Sequence, residues 1–369
     1  MNPLTLSEDR WSTPPFELDD ILDRALAEEG PNLRETAFLL GLTQRQDLDR
    51  LYDTASKVRE IHFSNEIFLY GFVYFSTYCK NRCAFCYYNC KNSVSPRYRK
   101  SPEEVLAIST MLERSGVHLI DLTMGEDPYY HGPVGWQRLV DLASKVHDTV
   151  GLPLMISPGV LPDRVLFDLT KAGVDWYACY QETYNRQLFR SLRVGQDFDV
   201  RLDQRLSAAR LGMLVEDGML LNVGESIGDR AYAIHQMKAY NMHQVRAMTF
   251  VPQVGTPLFR EDRPTIEDEL KMISVMRLVC QDRLIPASLD VEGTDGLKAR
   301  IAAGANVVTS IIPPEGGLAG VAQHDLDIGN GRRTVPAVTR ILETMDMEVA
   351  SISHYKDYIQ KWREGRAVG

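Results

Sequence analysis

Between residues 67 and 345 the sequence repeats one pattern eight times, a short apolar run followed by an amphipathic segment with helical spacing. The runs predict strands at Ile67–Phe75, His118–Thr123, Pro153–Ser157, Asp175–Tyr180, Gly218–Val223, Val245–Val251, Leu284–Asp290 and Ala305–Ser310. The segments predict helices at Pro102–Ser115, Gly135–Thr149, Pro162–Ala172, Asp199–Leu211, Arg230–Tyr240, Ile266–Cys280, Asp295–Ala303 and Thr334–Met345. Strand–helix alternation indicates an α/β fold with parallel strands and right-handed crossovers. Eight such units predict a closed (β/α)8 barrel of the TIM type, with an open, partial barrel as the alternative.

This alternating pattern and the two segments that flank it predict three regions. Residues 1–64 are expected to form an N-terminal helical extension, because Leu18–Ala27 and Asp47–Ile61 carry apolar residues at helical spacing. The barrel is expected over residues 65–345. Residues 346–369 are expected to form a C-terminal tail that packs on or near the barrel.

Charge and hydropathy exclude several classes of function. The 369 residues carry 41 Lys and Arg against 50 Asp and Glu, a net charge of −9, and no basic stripe stands out. Nucleic acid is therefore not an expected partner. No apolar stretch is long enough to span a bilayer, and the polar N-terminus does not resemble a signal peptide. A cytoplasmic enzyme without a membrane partner is expected.

Four of the six cysteines are crowded between Cys79 and Cys90, directly after the first predicted strand. Crowded thiols in a large chain outside an oxidising compartment are typical of metal ligands rather than disulfides. Cys79, Cys83 and Cys86 form a C-x3-C-x2-C motif. Three thiolates on a [4Fe–4S] cluster leave one iron open, and that iron can bind and reduce S-adenosylmethionine (SAM).

Two other interpretations of this motif stay open on spacing alone. Cys90 extends it to four cysteines, which could close a zinc site or a ferredoxin-like cluster. A zinc site usually pairs two short motifs across a longer stretch, and bacterial ferredoxin spacing has a shorter first gap and a proline after the last cysteine. We therefore expect Cys90 to be a structural thiol, and Cys179 and Cys280, which lie in apolar runs, to be core residues.

Polar residues at the ends of the predicted strands suggest a binding site for a charged small molecule. Asp121, Arg246, Ser288 and Asp290 end three different strands, and the carboxyl ends of barrel strands carry the active site. Arg246 can grip a carboxylate, and the two aspartates can pair with ammonium groups. Structural ion pairs at the barrel mouth are the competing interpretation.

Several stretches of the sequence resemble the 3-methylornithine synthase family of radical SAM enzymes. The similarity runs from about Asn65 to Met345 and is weak in the N-terminal extension and in the last 20 or so residues. The Asp121–Tyr130 and Ile285–Asp290 strings are its most specific parts. The full set is Tyr74–Asn81, Phe85–Cys90, Asp121–Tyr130, Met155–Gly159, Tyr180–Tyr184, Leu192–Gln196 and Ile285–Asp290.

The resemblance implies a reaction, two cofactors and two partners. A [4Fe–4S] cluster and SAM would generate a 5′-deoxyadenosyl radical that takes hydrogen from L-lysine. The carbon skeleton would fragment and recombine to (3R)-3-methyl-D-ornithine, the first step of pyrrolysine biosynthesis. An electron donor such as a flavodoxin or ferredoxin is implied, and a monomer is expected. Another radical SAM reaction of the biotin synthase and hydrogenase maturase group is the alternative.

The resemblance also assigns roles to individual residues. Arg246 and Ser288 would hold the lysine carboxylate, Asp290 the α-ammonium and Asp121 the side-chain ammonium. The SAM site would be formed by Gly125, Glu126, Asp127, Ser157, Glu182 and Arg201. Among these, Glu182 and Arg201 could instead form an ordinary ion pair, and Arg193 is a second candidate for the SAM carboxylate.

Overall fold

The computed structural model describes residues 16–260, 265–290, 292–313 and 333–365. Its first part consists of three helices, α1 (Leu18–Leu26), α2 (Leu33–Leu40) and α3 (Arg45–Phe63). A capping box starts α2, in which Asn32 and Glu35 satisfy each other's free backbone N–H groups. Helix α2, which the sequence pattern did not predict, packs against a barrel helix described below (Ile227–Ala239). Residues 1–15 and 366–369, at the outer ends of the first and last predicted regions, lie outside the described residues.

Eight parallel strands form a nearly closed barrel, which confirms the predicted fold. In chain order they are β1 (Glu66–Ser76), β3 (Leu119–Met124), β4 (Leu154–Ser157), β5 (Val174–Ala178), β7 (Leu214–Leu221), β8 (Gln244–Thr249), β9 (Pro286–Ser288) and β10 (Val307–Ile311). The hydrogen-bonded order is β8-β7-β5-β4-β3-β1-β10-β9. Strands β8 and β9 meet through an isolated parallel bridge between Gln244 and Leu284, which nearly closes the ring.

The helices that follow these strands lie where the sequence predicted them, within three residues at each end. They are α4 (Pro102–Ser115), α5 (Pro133–Val150), α6 (Asp163–Lys171), α8 (Phe198–Arg210), α9 (Ile227–Ala239), α10 (Glu267–Val279), α11 (Leu297–Ala302) and α12 (Val335–Glu343). The limits of α4 follow from local chemistry, since Ser101 and Glu104 form a capping box, Pro102 occupies the first turn and Gly116 ends it at φ 92°.

Three short elements at the barrel mouth escaped the sequence pattern. Helix α7 (Arg186–Leu192) leads into the two-residue strand β6 (Arg193–Val194), which pairs antiparallel with β2 (Arg82–Cys83). Two-residue strands carry no periodicity, so sequence alone does not reveal them. This pairing joins the cysteine loop to the segment after β5.

The C-terminal segment closes the opposite end of the barrel. Strand β11 (Glu348–Val349) pairs with the start of β1, and α13 (Ile352–Glu364) lies across the floor. The Tyr355 hydroxyl of α13 bonds the Tyr70 hydroxyl at 2.7 Å inside the barrel. His118 accepts from the Leu69 N–H at 2.8 Å through Nδ1, while its Nε2 lies 2.8 Å from the Ala350 oxygen. The open end is therefore the mouth, at the carboxyl ends of the strands.

Alternation along the strands separates two cores. On β1, Phe68 and Tyr70 pack inside the barrel with Trp176, whereas Leu69 and Val73 face the surrounding helices. In the part of the chain that the structure describes, no helix is both long and apolar enough to cross a membrane. The limits 1–64, 65–345 and 346–369 of the three predicted regions stay a prediction.

Candidate active site

A cavity of about 290 Å³ opens at the barrel mouth, and both predicted groups of site residues line it. The cysteine loop forms the first wall of this cavity, and the ends of β3 and β7–β10 contribute the second wall. All the predicted site residues except Asp127 line this single cavity: Cys79, Cys83, Cys86, Asp121, Gly125, Glu126, Ser157, Glu182, Arg201, Arg246, Ser288 and Asp290. The structure thus brings together side chains that are up to 211 positions apart in the sequence.

The cysteine loop packs tightly against the end of β3. The Gly125 N–H bonds the Ser76 oxygen at 2.9 Å, and a Cβ at position 125 would collide with the Tyr78 carbonyl oxygen and with Cys79. Glycine is therefore required where these two backbones meet. On the outer side, Arg97 donates to four carbonyl oxygens of the loop, those of Thr77, Tyr88, Asn89 and Asn92, at 2.6–3.3 Å.

Three cysteines of the loop reach the cavity and the fourth does not. Cys79, Cys83 and Cys86 line it, while Cys90 is exposed and does not. The Gln196 side-chain amide donates to Cys83 Sγ at 3.1 Å, and the Asn81 N–H donates to Cys79 Sγ at 3.4 Å. Amide donors of this kind stabilise thiolate charge and tune a cluster.

The three thiols line one cavity, where each could bind a different iron of an iron–sulfur cube. Within the described ranges, no three His, Cys, Asp or Glu side chains converge closely enough to hold one ion. A cube does not need this convergence, because each thiolate binds a different iron. Burial raises the pKa of Cys79 to about 11 and that of Cys86 further, so in the absence of a cluster both thiols stay protonated at neutral pH. A bound cluster supplies the positive charge that favours their thiolate forms.

Above the cysteine loop, acidic and basic groups stand in pairs. Glu126 lies 3.1 Å from Lys80 Nζ and 3.9 Å from an Arg201 nitrogen. Burial alone would raise the pKa of Glu126, but these two cations outweigh burial and hold the pKa below its usual range. Arg201 also donates to the Tyr180 oxygen at 2.6 Å. A carboxylate and a guanidinium are therefore available side by side for a zwitterionic ligand.

Glu182 has a strained backbone conformation beside the cysteine loop. Its φ of 67° is in the left-handed region, which non-glycine residues rarely adopt outside turns and functional sites. Its carboxylate pairs with Arg193, whose Nη1 also lies 3.6 Å from Cys83 Sγ. Burial raises the pKa of Glu182 even though Arg193 and Arg201 oppose this shift. Both arginines considered from sequence thus line the cavity, Arg201 next to Glu126 and Arg193 next to Glu182.

Asp127 is the predicted site residue that the structure does not bring to the cavity. Its carboxylate receives Nε and Nη2 of Arg99 at 2.7 and 2.8 Å and the Ser76 hydroxyl at 2.5 Å. The side chain is fully buried, and Arg99 holds its pKa low against the effect of burial. In this structure Asp127 fastens β1 to the loop after β3, although the resemblance placed it with SAM.

On the second wall, the Asp121 carboxylate has no cationic partner among the described residues. Its carboxylate accepts from the Thr123 hydroxyl at 2.8 Å and from the Ser157 hydroxyl at 3.5 Å, and no Lys or Arg of the described chain pairs with it. Burial is the main cause that raises the pKa of Asp121 to about 7, and Glu216 adds to it. A carboxylate at this position is ready to receive a cation from a ligand.

Arg246 is held from behind by a residue that sequence reasoning missed. Its Nε donates to Glu216 Oε1 at 2.6 Å, and its Nη1 donates to the Thr309 hydroxyl at 3.2 Å. The Tyr180 hydroxyl donates to the other Glu216 oxygen at 3.1 Å. Two adjacent acidic residues, Glu216 and Asp217, interrupt the apolar run 214–221 and were a signal that could have revealed Glu216.

Asp290 is paired in the same manner. Its carboxylate receives Arg333 Nη2 at 2.8 Å and the hydroxyls of Ser310 and Ser288 at 2.7 and 3.2 Å. Arg333 was also missed from the sequence, because it lies 43 positions after Asp290 and belongs to no motif. Glu216 and Asp290 are thus each bound to an arginine, whereas Asp121 is not bound to one in the described chain.

A parallel barrel with a three-cysteine loop and a cavity of mixed charge at its mouth defines a radical SAM enzyme. The family model "Radical SAM superfamily" matches residues 73–237. A 3-methylornithine synthase of Methanosarcina barkeri is 46% identical over 338 residues, which cover 90% of this chain and 95% of the relative. The chain belongs to the 3-methylornithine synthase family of this superfamily.

One solved structure supports this placement, and the chain is also similar to a more distant relative. The crystal structure of methylornithine synthase (PylB) superposes with a TM-score of 0.87 at 44% identity and covers 92% of this chain and 99% of that one. The [FeFe] hydrogenase maturase subunit HydE of Thermotoga maritima is 28% identical, over 73% of this chain and 77% of its own length. The cofactors of the family are a [4Fe–4S] cluster and SAM, as predicted from the sequence.

Proposed function

We propose that this chain is a radical SAM isomerase that converts L-lysine into (3R)-3-methyl-D-ornithine, the first step of pyrrolysine biosynthesis. One observation carries the proposal: a single cavity has the three-cysteine loop on one wall and Asp121, Arg246 and Asp290 on the other. The identity of the relatives over nine-tenths of the chain supports the same reaction.

The first wall is proposed to hold the cofactors. Cys79, Cys83 and Cys86 would ligate the cluster and leave one of its irons without a protein ligand, so that SAM could bind there. Gly125, Glu126, Ser157, Glu182 and Arg201 line the cavity beside them and would bind SAM, whereas Asp127 would act by supporting the Gly125–Glu126 backbone. When bound, the cluster and SAM supply a 5′-deoxyadenosyl radical that abstracts hydrogen from lysine.

The second wall, called the lysine wall below, is proposed to bind the three charged groups of lysine. Arg246 and Ser288 would bind the carboxylate, Asp290 the α-ammonium and Asp121 the side-chain ammonium. Charged groups of a ligand that become buried here need such partners, since an unpaired buried charge is costly. Holding both ends fixes the carbon chain between them, so its fragments stay in place until they recombine.

Sulfur insertion of the biotin synthase kind is the alternative, and the cavity does not favour it. Such a reaction needs a second cluster with its own ligands deep in the barrel. Apart from the three loop cysteines, Cys179 is the one described cysteine on the cavity wall, and Cys280 is buried elsewhere. We therefore expect one cluster, with about four irons per chain.

An electron donor such as a flavodoxin or ferredoxin is proposed to dock on the outer face of the cysteine loop. The basic side chains of Lys80, Arg82 and Lys91 are exposed there, although the protein as a whole is acidic. A basic rim favours an acidic donor surface. Replacing Arg82 and Lys91 by Glu should slow turnover with a reduced protein donor and leave turnover with dithionite unchanged. Equal turnover of the variant with the protein donor would contradict this docking face.

The decisive experiment is anaerobic reconstitution with iron and sulfide, followed by SAM, dithionite and L-lysine. Mass spectrometry and chiral chromatography should detect (3R)-3-methyl-D-ornithine, and iron analysis should give one cluster per chain. Active SAM cleavage without any methylornithine would reject lysine as the substrate. The expected monomeric state remains a prediction, which light scattering of the reconstituted protein can measure.

A further inference from the structure

We propose that Glu216, a residue outside the cavity wall, determines which substrate the lysine wall accepts. It does so by orienting Arg246 and by adding a negative charge directly behind that wall, which a substrate with one more positive than negative charge can balance. This inference rests on the proposed lysine reaction. It assigns to Glu216 a positioning role through Arg246 rather than a contact with the substrate.

Geometry supports the orienting role. Glu216 is 0% exposed on β7, in parallel register beside Gln244 on β8, two residues before Arg246. Its Oε1 accepts a hydrogen bond from Arg246 Nε at 2.6 Å, and the Thr309 hydroxyl accepts one from Arg246 Nη1. In the part of the chain that the structure describes, Nη2 has no protein acceptor. The guanidinium is therefore fixed along one edge and keeps donors for a ligand carboxylate.

Charge counting supports the specificity role. With Asp121 ionised, the described residues on this wall and directly behind it include the acids Asp121, Asp290 and Glu216 and the arginines Arg246 and Arg333, which gives 2 − 3 = −1. The remaining acid on this wall, Glu269, is neutralised by Arg300 at 2.5 Å. Lysine carries two ammonium groups and one carboxylate, a net charge of +1, so the complex is neutral. A substrate without the side-chain ammonium would leave one negative charge buried and unpaired.

Glu216 also acts on Asp121 at a distance. Its negative charge is the second cause, after burial, that raises the pKa of Asp121 to about 7. Arg246 opposes this effect, and Asp290 adds to it. The titratable and charged groups that face this pair of acids are Tyr70 of β1, Tyr180 after β5, Arg246 of β8, and Asp290 with its partner Arg333.

The test uses Glu216→Gln, which keeps the shape and removes the charge, and compares L-lysine with L-norleucine, its analogue without the side-chain ammonium. Binding is measured on the cluster-loaded enzyme with SAM between pH 6 and 9. The lysine-to-norleucine affinity ratio should fall about tenfold or more, the size of one moderately screened charge interaction. The KM for lysine should change more than kcat, and the pH below which lysine binding weakens should move down.

Matched variants separate this role from a structural one. Glu225→Gln removes a comparably buried acid from a pair with Arg230, away from the cavity, and should leave the ratio and the pH profile unchanged. Glu216→Asp keeps the charge, so it should retain the ratio while weakening both ligands, and it replaces the glutamine variant if that variant does not fold. An unchanged ratio in Glu216→Gln, or a lost ratio in Glu216→Asp, would overturn the proposal. A wild type that makes no methylornithine would instead reject the lysine reaction itself.

Discussion

The two walls of the cavity use charge in opposite ways. On the cofactor wall every acid beside the cysteine loop has a cation within the protein, Glu126 with Lys80 and Arg201, and Glu182 with Arg193. On the lysine wall, none of the Lys and Arg side chains that the structure describes pairs with Asp121. On the first wall, the charged groups of a zwitterionic ligand can replace the partners within these ion pairs. Among the described residues on the second wall and directly behind it, negative charges outnumber positive charges by one. We infer that the second wall selects its ligand by charge and the first by shape and cluster chemistry.

The variant Cys83→Ala should distinguish the functions of the two walls most clearly. Loss of a thiolate ligand should abolish the cluster absorbance and reduce SAM cleavage and methylornithine formation below detection. Lysine binding, measured by calorimetry, should persist because Asp121 and Arg246 are untouched. Cys90→Ala is the matched control and should keep both cluster and activity; if it loses the cluster, the three-ligand assignment is wrong.

The converse variant is Asp121→Asn, which removes a buried charge partner from the lysine wall. We expect a loss of about 2–5 kcal/mol in transition-state binding, or roughly 30- to 5,000-fold in kcat/KM for lysine. Cluster content should equal that of the wild type. Wild-type kcat/KM in this variant would show that the side-chain ammonium binds elsewhere.

The pH dependence of lysine binding sharpens the same contrast. The pKa of Asp121 is about 7 in the free enzyme, so the group is protonated below that pH and cannot pair with an ammonium. The KM for lysine should therefore rise as pH falls below about 7, by up to about tenfold per unit, and should level off above it. Asp121→Asn should abolish this dependence. A flat wild-type profile between pH 6 and 8 would contradict the assignment.

The smallest predicted effect concerns the support of the cysteine loop. Arg97→Lys keeps the charge but cannot donate to all four carbonyl oxygens that the guanidinium reaches. We expect about 1–3 kcal/mol of lost stability, seen as a lower melting temperature and faster cluster loss, with the KM for lysine unchanged. Arg82→Lys, at an exposed position on the same loop, is the control.

The sequence predicted the barrel well because strand and helix periods recur over hundreds of residues. All eight strands and the eight helices after them occur in the structure, and the limits of α4 agree in full. The largest strand error was β7, which begins at Leu214 rather than at Gly218. That difference of four residues left Glu216 outside the predicted strand and outside the site.

The site was predictable where a motif or a strand end marked a residue, and not where a partner came from a distant segment. The loop cysteines and Arg246 were predicted in this way, and the structure places them on the cavity. Glu216 and Arg333 were not, because each acts through an ion pair with another strand end that only the folded chain brings close. Asp127 was predicted at the SAM site with its neighbour Glu126, and the structure shows its side chain bound to Arg99 instead of lining the cavity.

The central claim is that the two walls serve one reaction in one cavity, and isotope transfer tests it most directly. Wild-type enzyme is given SAM, dithionite and L-lysine deuterated at all side-chain carbons, and 5′-deoxyadenosine is analysed by mass spectrometry. Because the product is an isomer of lysine, the abstracted hydrogen must return to it, so we predict deuterium in the 5′-deoxyadenosine recovered from the quenched reaction and deuterated methylornithine in excess over it. Unlabelled 5′-deoxyadenosine formed while SAM is being cleaved would show that the lysine side chain never meets the radical, and would contradict the account.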